Sequence, residues 1–267
     1  MASDSYRYIM TLSDIRKNYP CSWIRITTIT MLCKVLKEDI NLDKIRAAFA
    51  DGPIRIRRKG AHTNGFEWSL KETTFYNQVT VSYKDQYSTK SIKIFPNGSF
   101  QVAGCSDLFD CKRVVGQLTF LLQHILELEE PIPTDAFRVV MINTNFSLNA
   151  RVSLMDVISK LSATKTSDLK FIVSFNPDRY SAVKVKFQPA PGTKQVTASI
   201  FSTGNVIVTG AETLREIALA YETLNRELES TRIQGETMPD SETNIIMGYP
   251  FDQWVSHLTA KGIKRWK

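Results

Sequence analysis

Apolar and polar residues alternate with period two through "SIKIFPNGSFQVAG", so that Ile92 and Ile94, before a turn at Asn97-Gly98, share one face with Phe100 and Val102 after it. The spacing predicts a β-hairpin with one buried face. The pattern returns in "SIFSTGNVIVTG", where Ala198, Ile200, Val206 and Val208 take the same places. Aligned without a gap, Ile94 to Leu108 and Ile200 to Leu214 share six identities in fifteen: Ile94/Ile200, Phe95/Phe201, Gly98/Gly204, Val102/Val208, Gly104/Gly210 and Leu108/Leu214. Each hairpin precedes a segment of helical period, "SDLFDCKRVVGQLTFLLQHILEL" and "AETLREIALAYETLNRELES", with acidic residues at the start, where the helix dipole favours them.

The duplication extends upstream more faintly. "SWIRITTITMLCKV" and "DAFRVVMINTNFSLN" read as opening strands, and each precedes a short amphipathic helix, "NLDKIRAAFA" capped by Asn41 and "VSLMDVISKL" capped by Ser153. Further strands are expected in "NQVTVSYK", "LKFIVSF" and "SAVKVKFQ". Each half therefore reads strand, short helix, several strands, long helix. The expected division is an N-terminal segment 1–20, a first repeat 21–130, a second repeat 131–230 and a C-terminal extension 231–267, with "EEPIPTD" linking the halves. The fold class is α+β: two pseudo-symmetric repeats forming a curved antiparallel sheet with all helices on one side, the arrangement that covers one face of both halves.

The other face is then left outward. It carries Ser91, Lys93, Phe95, Gln101 and Ala103 in the first hairpin, and Thr197, Ser199, Phe201, Ile207 and Thr209 in the second. A large phenylalanine among small and polar neighbours is ordinarily packed under a loop or at a sheet edge. Its recurrence in both halves points instead to a binding face.

Composition narrows the partner. The chain has 267 residues, is 43% hydrophobic, and carries a formal charge of +7, which suits an anionic partner and excludes wholesale disorder. The four cysteines, Cys21, Cys33, Cys105 and Cys111, form no CxxC pair, and with three histidines no metal-ligand spacing emerges, so no cofactor is expected. The cysteine usage fits a reduced, intracellular compartment. No apolar run has the length of a membrane span, and "MASDSYRYIM" does not have the form of a signal peptide.

These residues resemble the TATA-box-binding protein family, whose core is a saddle of two such repeats with helices on its convex face. Ile200 to Ala211 follows the family phrase "IFxSGKxVxTGA" closely and Ile94 to Cys105 follows it loosely. "FNPDRYSAV" from Phe175 is similar to the family's "Y-x-P-x-x-F" stirrup, with Pro177 retained and Tyr180 at the aromatic; "TTFYNQV" is its counterpart, with Tyr76, or alternatively Phe75, in that place. The likeness spans about Ser22 to Ser230 and is that of a divergent member, of the kind carried by large DNA viruses. It implies a transcription initiation factor, not an enzyme, that binds double-stranded DNA in the minor groove. The implied wedges are Phe95 with Tyr76 at one end and Phe201 with Tyr180 at the other, prying open one base step each at a cost of a few kcal/mol.

The departures bear on specificity. Where the family carries a base-reading asparagine in the opening strand of each repeat, the alignment places Arg25 and Met141, with Thr27, Asn143 and Asn145 close by. Gln101 and Ala103 replace the valine and threonine of the first family hairpin, which puts preference for a TATA sequence in doubt. Lys184 and Lys186 alternate with Val183, Val185 and Phe187, giving one basic strand face for phosphates; Ser82 holds the corresponding place in the first half, where Lys93 and the cluster Arg55, Arg57, Arg58 and Lys59 offer compensation. The competing reading is that these are solvated charges. By resemblance, Asn176 and Asp178 of the second stirrup contact a TFIIB-like factor, and through it RNA polymerase, while "NPD" also reads simply as a turn. The expected setting is the nucleus or a viral replication compartment, with no membrane and no small-molecule substrate.

Two rivals stand beside this. The saddle also occurs as a module in DNA glycosylases and nucleases, but no nucleophile-base arrangement or phosphate loop is recognisable, and His62 reads as a loop residue. The second is a saddle that has lost bending and serves as an assembly scaffold, which the polar residues Arg25, Ser82 and Gln101 favour.

Overall fold

The computed structural model describes residues 3–35, 40–56, 65–73, 75–86, 88–164, 169–233, 245–246 and 249–267. Arg57, Arg58, Lys59, His62 and the segment "GETMPDSET" lie outside the described residues. In chain order the elements are α1 (Asp4–Asn18), β1 (Arg25–Val35), α2 (Leu42–Ala48), β2 (Ile54–Ile56), β3 (Phe66–Lys71), β4 (Val79–Lys84), β5 (Thr89–Ile94), β6 (Ser99–Cys105) and α3 (Leu108–Ile125). They continue with β7 (Thr134–Ser147), α4 (Leu154–Ala163), β8 (Ile172–Asn176), β9 (Tyr180–Phe187), β10 (Val196–Ile200), β11 (Asn205–Ala211), α5 (Leu214–Leu228) and α6 (Phe251–Ala260). The chain forms two compact units, residues 28–141, and residues 1–27 together with 142–267.

In the first unit the strands run β2-β3-β4-β5-β6-β1, antiparallel throughout the recorded pairings. The predicted alternation holds: Ile92, Ile94, Phe100 and Val102 are fully buried, in one cluster with Ile45 of α2 and Val114, Val115, Leu118 and Leu122 of α3. Both helices therefore cover the same sheet face. Asn41 caps α2 by accepting from the backbone N–H groups of Asp43 and Lys44 at 3.0 Å. Two strands go beyond the sequence reading. β3, "FEWSLK", pairs with β4 and contributes Trp68, whose ring packs 4.8 Å from that of Tyr83, and β2 pairs with β3.

The second unit repeats the plan with β7-β11-β10-β9-β8. Val183, Val185, Phe187, Ala198, Ile200, Val206 and Val208 are fully buried together with Ile217, Ala220, Tyr221 and Leu224 of α5. Ser153 caps α4 at the N–H of Asp156, and α5 opens with a full capping box between Thr213 and Glu216. The N-terminal segment, which the hydrophobic pattern leaves unassigned, is α1; it packs on α5, and α6 packs on α1. Beyond α6, the buried Trp266 donates its backbone N–H to Thr11 Oγ1 at 3.1 Å, and Arg265 bridges Asp14 and Glu222.

The duplication reaches into irregular detail. Val35 donates to the carbonyl of Gly98, as Leu148 does to that of Gly204, and Phe95 and Phe201 close their turns on Ser99 and Asn205. Gly104 and Gly210 (φ +94° and +92°) sit at matching bulges: β6 slips against β1 at Ile29/Thr30, and β11 slips against β7 between Val208 and Ala211. Gly204 (φ +84°) admits no side chain, because a Cβ there would fall 1.9 Å from the Ala150 carbonyl oxygen.

Candidate nucleic-acid interface

The strand ladders order the outward residues into rows. In the second unit Ser174, Lys184, Ser199, Ile207 and Asn145 are successive cross-strand partners, and beside them run Ile172, Lys186, Thr197 and Thr209. Lys184, Lys186 and Asn145 are exposed; Ser199, Ile207 and Thr209 are half-buried. In the first unit the matching rows are Lys71, Thr80, Lys93, Gln101 and Leu32, then Ser69, Ser82, Ser91, Ala103 and Thr30. Lys93, Gln101 and Leu32 are half-buried, while Thr80, Ser82 and Thr30 are buried. The first face thus presents fewer reachable groups than the second.

The ends of the rows carry the aromatics. Phe201 leaves β10 at its turn, and Tyr180 opens β9; their rings meet edge to face with centroids 5.7 Å apart. Lys184, four residues along the same strand face, sets its ammonium 4.8 Å from the Tyr180 ring centre. An apolar edge and a cation are therefore presented together. In the first unit Tyr76 stands four residues before Thr80 as Tyr180 stands before Lys184, so strand register equates the two tyrosines. Their settings differ. Tyr180 follows the tight turn Pro177–Arg179, whereas Tyr76 lies in the longer β3–β4 connection and is 85% exposed. Arg46 of α2 holds that connection by donating to the carbonyls of Tyr76 at 3.0 Å and Gln78 at 3.3 Å. Among the described residues no ring contact joins Tyr76 to Phe95, which is half-buried at its own turn, and Phe75 is also exposed.

The ladders correct one alignment. Ile29 pairs with Cys105 as Ile142 pairs with Ala211, and Leu32 faces Gln101 as Asn145 faces Ile207. The opening strands are thus offset by 113 residues, which matches Arg25 with Arg138 and Met141 with Thr28, so Arg25 and Met141 are not equivalent. The physical reason is a first half seven residues longer between opening strand and hairpin, so the hairpin offset of 106 does not carry upstream. Arg25 and Thr27 are exposed, and Thr27 donates to the carbonyl of Asn143 at 3.0 Å; Met141 and Asn143 are half-buried. Arg55 is paired with Glu67 at 2.6 Å. Asn176 accepts from the N–H of Arg179 to close the stirrup turn, leaving Asp178 exposed at its tip. Leu32, Lys71, Ser174 and Arg46 join this surface without having been singled out; placing Val35 and Leu148 as matched strand ends would have exposed the first.

Beneath the faces, charge is managed internally. Lys90 is buried and pairs with Asp110 at 2.8 Å, and Arg113 donates to Asp110, Asp85 and the Tyr83 hydroxyl. Burial pushes the Asp110 carboxyl up, but the Lys90 ammonium, the Ser106 N–H and Arg113 outweigh it and hold the group below the ordinary carboxylate range. Glu216 behaves alike: burial raises it, and the backbone N–H groups of Glu212, Lys194 and Thr213 bring it lower. Among the described residues no cluster of histidine, cysteine or acidic side chains could hold a metal ion, and no helix is long and apolar enough to cross a membrane.

Residues 136–231 match the family described as transcription factor TFIID, or TATA-binding protein. A TATA-box-binding protein-like protein of Acanthamoeba polyphaga mimivirus is 27% identical over 242 aligned residues, covering 74% of this chain and 63% of that protein, so the chain spans under two thirds of that relative's length. The solved structure of the Methanococcus jannaschii TATA-binding protein superposes with a TM-score of 0.52 over 78% of this chain and 99% of that one, at 11% identity, a likeness of fold alone. The second repeat therefore carries the sequence pattern of the TATA-binding protein family, and the chain as a whole shares that family's fold and resembles a viral relative.

Proposed function

We propose that this chain is a transcription initiation factor that binds duplex DNA in the minor groove through the outward sheet faces and bends it with aromatic wedges. The observation that carries the reading is the Tyr180–Phe201 edge contact with Lys184 against it, on the outward side of the second unit's sheet. The minor groove shows little beyond A·T against G·C, so selectivity there comes largely from how easily the duplex deforms. A ring replaces a lost base stack without needing a specific partner, and the Tyr180 hydroxyl takes a phosphate, sugar or water. Phe95 and Tyr76 supply the second wedge, with Tyr76 brought to Phe95 when DNA is bound. Lys93, Lys184 and Lys186 neutralise phosphates; Arg25, Thr27, Gln101, Met141, Asn143, Asn145, Ser199, Ile207 and Thr209 line the groove floor. Asn176 and Asp178 at the stirrup engage a TFIIB-like factor and thereby polymerase, in the nucleus or a viral replication compartment.

A non-bending assembly scaffold is the second reading, favoured by the separation of Tyr76 from Phe95 and the burial of Thr80 and Ser82. A fluorescence-energy-transfer bending assay on end-labelled duplexes from a random-sequence selection distinguishes them. Wild type is expected to shorten the end-to-end distance, and Phe95→Ala and Phe201→Ala to reduce bending more than nonspecific binding. Equal loss of both would sink the wedge assignment, and binding without bending would leave the scaffold.

A further inference from the structure

The two terminal extensions meet in the second unit. α6 ends on a Schellman arrangement, in which Gly262 (φ +70°) donates its N–H to the Thr259 carbonyl and Ile263 donates to that of Leu258 at 3.1 Å. The turn releases a tail that runs antiparallel to α1, with Arg265 opposite Asp14 and Trp266 opposite Thr11 and Arg7. These contacts fix its course.

What the tail brings to α1 is positive charge. Arg7 of α1, Arg215 in the first turn of α5, and Lys264, Arg265, Trp266 and Lys267 of the tail line one cleft of about 530 Å³ on the helix side of the unit. Arg265 is neutralised there by Asp14 and Glu222. Among the described residues Arg7, Arg215 and Lys264 have no ion-pair partner, and the acids flanking Arg215 in sequence are engaged elsewhere. Glu212 pairs with Lys194 at 2.6 Å, and Glu216 accepts the backbone N–H groups of Lys194, Glu212 and Thr213.

Exposed lysines at a chain end are ordinarily just solvated. Arg7 and Arg215 are not in that position, because both are half-buried and give up part of their hydration without an acceptor in return. Arg7 is also placed, its guanidinium carbon lying 5.4 Å from the centre of the buried Trp266 ring. Three cations from three separately held segments thus converge on one concavity, where low-dielectric walls focus their field. Such convergence is repulsive by itself and is offset by an anion.

We propose that this cleft binds the phosphate chain of a compound with several linked phosphates, gripped by Arg7 and Arg215 from the helices and by Lys264 from the tail. Bound there, it pins both extensions to α5. The planar fork of arginine matches phosphate oxygens in pairs. A single phosphate carries about two negative charges at neutral pH, fewer than the cations gathered, so a linked chain fits better. A concavity closed by three segments suits a compact anion, whereas a duplex backbone is met by a basic stripe. The cleft lies on the opposite side of the sheet from the residues proposed to bind DNA, and the inference does not rest on that reading.

The test is isothermal titration calorimetry of the full 267-residue chain with inorganic tripolyphosphate and, separately, with ATP, both without divalent metal. One site per chain is expected, weakened by salt, with Tm and hydrogen-exchange protection of α1 rising on saturation. Arg215→Gln and Lys264→Gln are expected to keep the wild-type Tm of the unliganded chain and to weaken tripolyphosphate binding by about tenfold or more. Lys184→Ala combined with Lys186→Ala is expected to leave it unchanged. Equal affinity for the two probes supports recognition of the phosphate chain alone, and tighter ATP binding supports a nucleoside triphosphate. Absence of binding at millimolar tripolyphosphate, or affinity that follows Lys184 and Lys186 instead of Arg215 and Lys264, overturns the proposal. So does a short DNA duplex that displaces tripolyphosphate and is itself weakened by Arg215→Gln, because the cleft would then belong to a nucleic-acid backbone.

Discussion

Gly204 and Gly52 both hold positive φ, +84° and +106°, yet differ in what a side chain would meet. At Gly52 a Cβ has open space, and Gly52→Ala is expected to cost about 1 kcal/mol from backbone strain alone. At Gly204 the same strain is joined by collision with the Ala150 carbonyl, which is backbone and cannot swing away, so Gly204→Ala is expected to cost roughly 3 kcal/mol or more. Urea unfolding of the two variants checks the difference. Asp110 gives a second residue-scale prediction. With Lys90 buried against it, Asp110→Asn leaves an uncompensated charge and is expected to cost about 3–5 kcal/mol at pH 7. Its folded-state affinity for protons is lowered, so the stabilisation is complete above the unfolded carboxylate value of about 4 and is lost as pH falls through the folded one. A stability profile between about pH 6 and 2 is expected to fall for wild type and to be flatter for the variant.

At the scale of elements, caps and turns were the most legible features, because they depend on neighbours in sequence. Asn41, Ser153 and the hairpin glycines act where their local pattern predicts. The Thr213–Glu216 box does more than cap, since Glu216 also accepts the N–H of Lys194 at 2.8 Å and so ties the start of α5 to the approach to β10. Thr213→Ala is expected to cost about 1 kcal/mol, and Glu216→Gln a comparable amount with weakened hydrogen-exchange protection at Lys194 as well as in α5. Equal protection at Lys194 in both proteins would confine the role of Glu216 to its helix. Illegible elements had a common cause. β3 shows alternation over only "FEWSL" before a polar connection, and α1 buries Thr11 and Ser13 along with Leu12 and Ile15, which blurs a helical stripe. Both are held by partners far along the chain.

At the scale of the whole molecule the two outward faces are unequal, and their salt dependence should show it. Lys184→Ala and Lys186→Ala are each expected to reduce the slope of log binding constant against log salt by about 0.9, the release of one phosphate's counterions, with filter binding at several salt concentrations as the measurement. Slopes unchanged within error would return both lysines to solvated strand charges. The extensions contribute through Trp266, buried against α1 and within 5.4 Å of the Arg7 guanidinium carbon. Trp266→Ala is expected to cost roughly 3–5 kcal/mol and to loosen α1 first, read by hydrogen exchange.

The repeat, the alternation of its hairpins and the helix caps were determined by sequence alone, because each rests on residues within a few positions of one another or on direct duplication. Strand equivalence upstream was not, since a seven-residue difference between the halves changes the offset without leaving a mark that composition or periodicity can locate. Only the ladders, which compare residues by their hydrogen-bonded partners, match Arg25 with Arg138 and Leu32 with Asn145. Tertiary structure likewise decided that Tyr180 touches Phe201 while Tyr76 stands apart from Phe95. Side-chain proximity across a turn depends on turn length and on an arginine thirty residues away, and neither is encoded in the pattern around the aromatic itself.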